Sequence, residues 1–76
     1  MTITRLRKIL DDNNIPRHTY SIGEPKEDAY CIEEINGLWA GYTIERGKKY
    51  DCEVFVSLDK ASEWLLSKLL VKQFSE

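Results

Sequence analysis

The chain reads as an α+β domain with an N-terminal helix, a three- to four-stranded antiparallel meander sheet and a C-terminal helix, both helices lying on one face of the sheet. Three observations predict this. Asn36-Gly37 sits between two alternating apolar runs, and both central residues of a type I′ turn need the positive φ that Asn and Gly tolerate. Outside the strand region the apolar residues follow helical spacing instead, at Ile3, Leu6, Ile9 and Leu10 before it and at Leu58, Ala61, Trp64, Leu65, Leu66, Leu69, Leu70 and Val71 after it. The strand connections look too short for parallel crossovers, which favours a meander covered on one side.

The first helix runs from Thr2 or Thr4 to about Asn13. Asn13-Asn14 ahead of Ile15-Pro16 ends it, because Asn tolerates the left-handed stop and the residue before Pro avoids the helical region. An extended piece from His18 to Ile22 is a candidate edge strand before the Gly23-Glu24-Pro25 turn. Asp28 to Ile35 and Leu38 to Arg46 form the hairpin, and Asp51 to Ser57 is the strand that returns beside it. Ser57 or Asp59 then caps a helix to about Gln73, with Asp59 and Glu63 near its positive end and Lys68 and Lys72 near its negative end. The apolar surface of this helix is wider than a normal stripe, so it either underlies much of the sheet or meets another chain.

Seventy-six residues make one domain, 1–76, and a chain this short hides only about 60–65% of its unfolded surface. The N-terminus has no apolar run suited to export and nowhere do about 18 apolar residues occur together, so a soluble, cytoplasmic protein with no membrane partner is expected. Cys31 and Cys52 are expected as free, mostly buried thiols. With a central strand between them their backbones would lie roughly 9–10 Å apart, beyond the ~7 Å a disulfide tolerates.

The formal charge of −2 is unevenly spread. Residues 1–19 set Arg5, Arg7, Lys8 and Arg17 against Asp11 and Asp12, whereas residues 20–45 set Glu24, Glu27, Asp28, Glu33, Glu34 and Glu45 against Lys26 alone. An acidic patch of this kind steers a basic partner and repels nucleic acid; an ordinary solvated surface is the plain alternative. The basic stretch Arg46-Gly47-Lys48-Lys49-Tyr50 is a mild nucleic-acid signal, outweighed by the acidic sheet beside it.

A two-residue Asn36-Gly37 loop pairs Ile35 with Leu38, Glu34 with Trp39, Glu33 with Ala40, Ile32 with Gly41, Cys31 with Tyr42 and Tyr30 with Thr43, and opposed residues share a face. One face collects Ala29, Cys31, Ile35, Leu38, Ala40, Tyr42 and Ile44, with Glu33 as its misfit, and is expected under the helices. The other collects Tyr30, Ile32, Glu34, Trp39, Gly41, Thr43 and Glu45, a mixture of aromatic and acidic groups suited to binding. The reverse assignment, with Tyr30, Ile32 and Trp39 inside, stays open, because a one-residue change in the Arg46–Lys49 loop flips the third strand.

Catalytic chemistry is hard to build from these residues, and no cofactor or metal is expected. His18 is the single histidine and stands in a loop beside Arg17; the two cysteines are well separated from it in sequence. Glu33 and Glu34 are adjacent strand residues that point to opposite faces, so they cannot share a proton.

Ala29-Tyr30-Cys31-Ile32-Glu33, Gly37-Leu38-Trp39, Glu45-Arg46-Gly47-Lys48, then Phe55 and Ala61 ahead of a leucine-rich helix, resemble small bacterial immunity proteins of polymorphic-toxin and contact-dependent growth inhibition systems. The similarity covers roughly Tyr20 to Leu70, and Ala40-Gly41 departs from the bulkier residues of that family. The resemblance implies a non-enzymatic antidote that binds the toxic C-terminal domain of a sibling toxin, such as a basic nuclease, and blocks its active site. On that reading Glu24, Glu27, Asp28, Glu34 and Glu45 steer the partner and Tyr30, Ile32 and Trp39 anchor it. The rival is a homodimeric structural or regulatory module paired through the C-terminal helix, Trp64 and Val71 included.

Overall fold

The hydroxyl of Thr2 accepts the Arg5 N–H at 3.1 Å and starts α1, Ile3–Asp12. Its end is a Schellman motif built on Asn14 at φ 57°: Asn14 N–H donates to the Asp11 carbonyl and Ile15 N–H to the Leu10 carbonyl, both at 3.0 Å. Ile15 and Leu10 then meet in the core, as that motif favours. In the computed structural model of the chain, the backbone is described for residues 1–74 and side chains as far as Leu70.

A single 3-10 turn, Arg17–Thr19, leads into β1, Tyr20–Ile22. Three further strands follow, β2 (Tyr30–Ile35), β3 (Leu38–Glu45) and β4 (Lys48–Phe55), and α2, Leu58–Phe74, closes the fold. The strand order is β1-β2-β3-β4. β2, β3 and β4 are antiparallel neighbours, but β1 runs parallel to β2, so the sheet is mixed and not a pure meander. The 23–29 segment makes the return possible: Gly23 and Asp28 both adopt positive φ, and the chain doubles back across the width of a three-residue strand.

The Asn36-Gly37 turn has φ 51° and 85°, and all six pairings expected from it are present. A second turn of the same kind sits at Arg46-Gly47, φ 51° and 79°, which starts β4 at Lys48, three residues earlier than the sequence suggests. Between Gly41 and Thr43 the β4 strand carries one extra residue, with Asp51 at φ 56°.

Both helices cover one face, and it is the face of Tyr30, Ile32 and Trp39. Leu6 and Leu10 of α1, Ala61, Trp64, Leu65 and Leu69 of α2, and Ile32 of β2 form one buried cluster, with Tyr30, Trp39 and Phe55 packed against it. The expected face assignment is therefore reversed. Gly41 explains much of the reversal, since the Trp64 ring rests on its backbone and needs that strand position to be empty. The opposite face has its own small cluster, Ala29, Cys31, Tyr42 and Ile44. Loop backbone lies over its Cys31 end, where the thiol donates to the Lys26 carbonyl, and Lys49 lies over the Tyr42 ring, 4.4 Å from its centroid. Trp64 is inside the core, Leu66 and Leu70 pack against it, and Val71 lies outside the described side chains.

Candidate functional site

The loop before β2 is stitched to the β3–β4 turn. Asp28 N–H donates to the Ile44 carbonyl at 2.8 Å, and the Glu27 carboxylate accepts the Gly47 N–H at 3.1 and 3.3 Å. Glu27 is thus held at the hairpin tip. The same stitching sets Asp28 beside Glu45, the last residue of β3, and the positive-φ residue Asp51 turns toward them from β4.

Asp28, Glu45 and Asp51 line one depression of about 400 Å³ together with Thr19, Tyr30 and Thr43. The three carboxylates are exposed, and among the described residues no lysine or arginine lines the depression. Lys49 is turned elsewhere, paired with Glu33 at 3.6 Å. Tyr30 forms the firm part of the wall, braced edge-on against Trp64 with ring centroids 6.1 Å apart and planes at 76°. A cation entering here meets three negative charges and an aromatic side chain fixed from behind.

Three of the residues read from the sequence, Asp28, Tyr30 and Glu45, therefore converge, and a fourth, Glu27, secures the loop that presents them. The others do not join them. Glu34 faces Trp39 beside the Asn36-Gly37 turn, at the far end of the hairpin. Glu24 lines a different depression, of about 240 Å³, shared with Arg7, Arg17 and Lys26. Ile32 is fully buried and cannot anchor a partner, and Trp39 is half-buried against the core. Asp51 was not legible in advance, because its position depends on the extra residue in β4.

Burial pushes the Cys31 thiol above its ordinary pKa, with the Lys26 carbonyl as its hydrogen-bond partner, so it is a poor nucleophile. Cys52 is exposed, against expectation, and both thiols are free on strands separated by β3. His18 lies exposed on the 3-10 turn. Among the described residues no three His, Cys, Asp or Glu side chains approach closely enough to hold a metal ion, and no helix is long and apolar enough to cross a membrane. No protein-family model matches this chain, and no curated protein or solved structure matches it either.

Proposed function

We propose that this chain is a cytoplasmic immunity protein, a non-enzymatic antidote that binds the C-terminal domain of a cognate bacterial toxin and occludes its active site. The observation that carries the reading is the Asp28–Glu45–Asp51 depression with Tyr30 in its wall. It is concave, acidic and, among the described residues, free of basic lining side chains, the counterpart of a lysine- or arginine-rich active-site rim such as a nuclease presents. Exposed carboxylates grouped on one side accelerate encounter with such a partner, and a braced aromatic supplies a desolvated contact once docking is complete.

The proposed interface differs from the one read off the sequence. Steering rests on Asp28, Glu45 and Asp51, with Glu27 as the residue that holds the loop, and Tyr30 replaces the trio of anchors. The test is association with the C-terminal domain of a cognate toxin, sought first in the adjacent gene. Replacing Asp28→Asn, Glu45→Gln and Asp51→Asn together should slow association by about tenfold or more at low salt and flatten its salt dependence. Glu24→Gln with Glu34→Gln should change little. If the triple variant associates as fast as the parent and still protects cells from that toxin, the reading fails.

A further inference from the structure

The basic residues near the N-terminus take no part in the acidic depression, and the fold gathers two of them into a hollow of their own. Arg7 of α1, Arg17 of the 3-10 turn and Lys26 of the 23–29 loop line a depression of about 240 Å³ beside the edge strand β1. Contacts within the fold place two of the three. Lys26 Nζ donates to the Arg17 carbonyl at 2.9 Å, on a loop turned by Gly23 at φ 100° and closed by the Ser21 hydroxyl donating to the Glu24 carbonyl at 2.6 Å. Arg17 Nη2 lies 3.6 Å from Asp11 Oδ2. Arg7 has no ion pair among the described residues.

Against these cations stand Asp11, already beside Arg17, and Glu24, so the hollow keeps a positive balance on a chain whose formal charge is −2. The strand adds a backbone donor. Gly23 N–H donates to the Ile32 carbonyl at 2.8 Å, and in a parallel ladder alternate residues face opposite ways, so the N–H of Ile22 is turned to the open edge of β1. Ile22 also lines the hollow.

Three positive side chains around one concavity repel one another, and a bound anion relieves that repulsion. The donors come from three separate segments and from a strand edge. That arrangement suits a tetrahedral oxyanion, whose oxygens point in several directions, better than a planar carboxylate.

We infer that this hollow binds a phosphate group, as the free ion or as the monoester of a small molecule, held by Arg7, Arg17 and Lys26. The site is separate from Asp28, Glu45 and Asp51 and does not depend on the immunity reading. Its cationic side chains are exposed, so the dissociation constant falls on the order of 1 mM.

The full chain is titrated with inorganic phosphate and with glycerol phosphate at constant ionic strength, and followed by the amide and arginine side-chain nitrogen–proton resonances. Saturable shifts at Arg7, Arg17, Ile22 and Lys26 are expected, with sodium acetate and sodium chloride leaving them in place. Tighter binding of glycerol phosphate would assign the site to esters, and equal binding to the free ion. Arg7→Gln should weaken binding about threefold or more without moving the melting temperature, because Arg7 is exposed. Glu24→Gln removes a carboxylate from the hollow and should tighten binding about twofold, while the Ser21 bond to the Glu24 carbonyl keeps the turn. A merely structural role for these side chains predicts neither change. Shifts that fail to saturate by about 50 mM phosphate, equal shifts with acetate or chloride, or variants that bind like the parent would each overturn the inference.

Discussion

The Trp64 ring lies on the backbone of Gly41. A Cβ at that position would stand 2.8 and 2.9 Å from ring atoms Cε3 and Cζ3 of Trp64 and 3.0 Å from Cε2 of Phe55. The two Trp64 distances are shorter than real contacts allow and the Phe55 one is tight, and the rings are hemmed in, because Trp64 also packs on Tyr30 and Phe55 within the main core. Gly41→Ala should therefore cost about 1–3 kcal/mol, read as a lower urea midpoint with an unchanged slope. The Trp64 Nε1–H has no acceptor among the described residues, so Trp64→Phe sacrifices packing but no hydrogen bond. Combined with Gly41→Ala, the pair should cost less than the sum of the two single changes, since the smaller ring vacates the space the methyl needs.

On the opposite face the Tyr42 hydroxyl donates to Glu33 Oε1 at 2.7 Å, and Lys49 reaches both the carboxylate, at 3.6 Å, and the face of the Tyr42 ring. Tyr42 is buried beneath this lid without any helix above it. Tyr42→Phe should destabilise by about 1–2 kcal/mol, because Glu33 loses a short charge-assisted bond in a poorly hydrated setting. Lys49→Met, which keeps an apolar stem over the ring, should cost less, about 0.5 kcal/mol. Thermal melts of the two variants decide the order. A larger loss for Lys49→Met would mean that the ammonium, not the hydroxyl bond, secures the cluster.

The same cluster makes stability depend on alkaline pH. Burial, the hydrogen bond to Glu33 and that carboxylate's charge raise the Tyr42 phenol above its ordinary 10.0, and burial likewise raises Cys31 above 9.0 despite the Lys26 carbonyl and the nearby Lys26 and Lys49 charges. Folding thus holds both protons more tightly than the unfolded chain does. Their contribution is complete below the unfolded value of each group and is lost as pH rises through the folded one. Urea midpoints should fall between about pH 8.5 and 11, and Tyr42→Phe with Cys31→Ala should fall less steeply. The difference in phenolate absorbance between wild type and Tyr42→Phe should emerge above pH 10.

Local grammar explains what the sequence made legible. Asn13-Asn14 stops α1 by the left-handed geometry Asn tolerates, and Asn36-Gly37 brings Glu34 to Trp39 and Cys31 to Tyr42 as its turn type demands. The buried face was not legible for a physical reason: alternation assigns residues to two faces without saying which is covered. Here both faces bury aromatic residues, one under α2 and the other under Lys49, beside the loop that precedes β2. β1 escaped as a parallel strand because its return depends on Asp28 accepting φ 57°, a non-glycine residue in a glycine-like conformation. In the candidate site, Asp28, Tyr30 and Glu45 were visible as acidic and aromatic residues of the hairpin region. Asp51 joins them through the bulge, and Ile32 leaves them because the face is reversed.

That bulge also decides which side chains of β4 reach the core. The Arg46-Gly47 turn sets Glu45 opposite Lys48, Ile44 opposite Lys49 and Thr43 opposite Tyr50, and continuing this count would oppose Trp39 to Val54. The extra residue shifts the count by one, so Trp39 meets Phe55 and Ala40 meets Val54, and Phe55 turns inward to Trp64 with centroids 6.0 Å apart. Deleting Asp51 removes the extra residue, sets Cys52 opposite Tyr42 and leaves Gly41 with Glu53, Ala40 with Val54 and Trp39 with Phe55, so Phe55 stays on the helix side and stability should stay within about 1 kcal/mol of the parent. The expected signature is unchanged near-ultraviolet circular dichroism and a melt as sharp as the parent's. Asp51→Gly keeps the bulge, suits φ 56° and should leave stability within about 1 kcal/mol of the parent; Asp51→Val, β-branched in a left-handed position, should lose about 1–2 kcal/mol. A deletion variant with weakened near-ultraviolet bands and a broad melt would show that the bulge, and not the pairing of Trp39 with Phe55, holds Phe55 in the core.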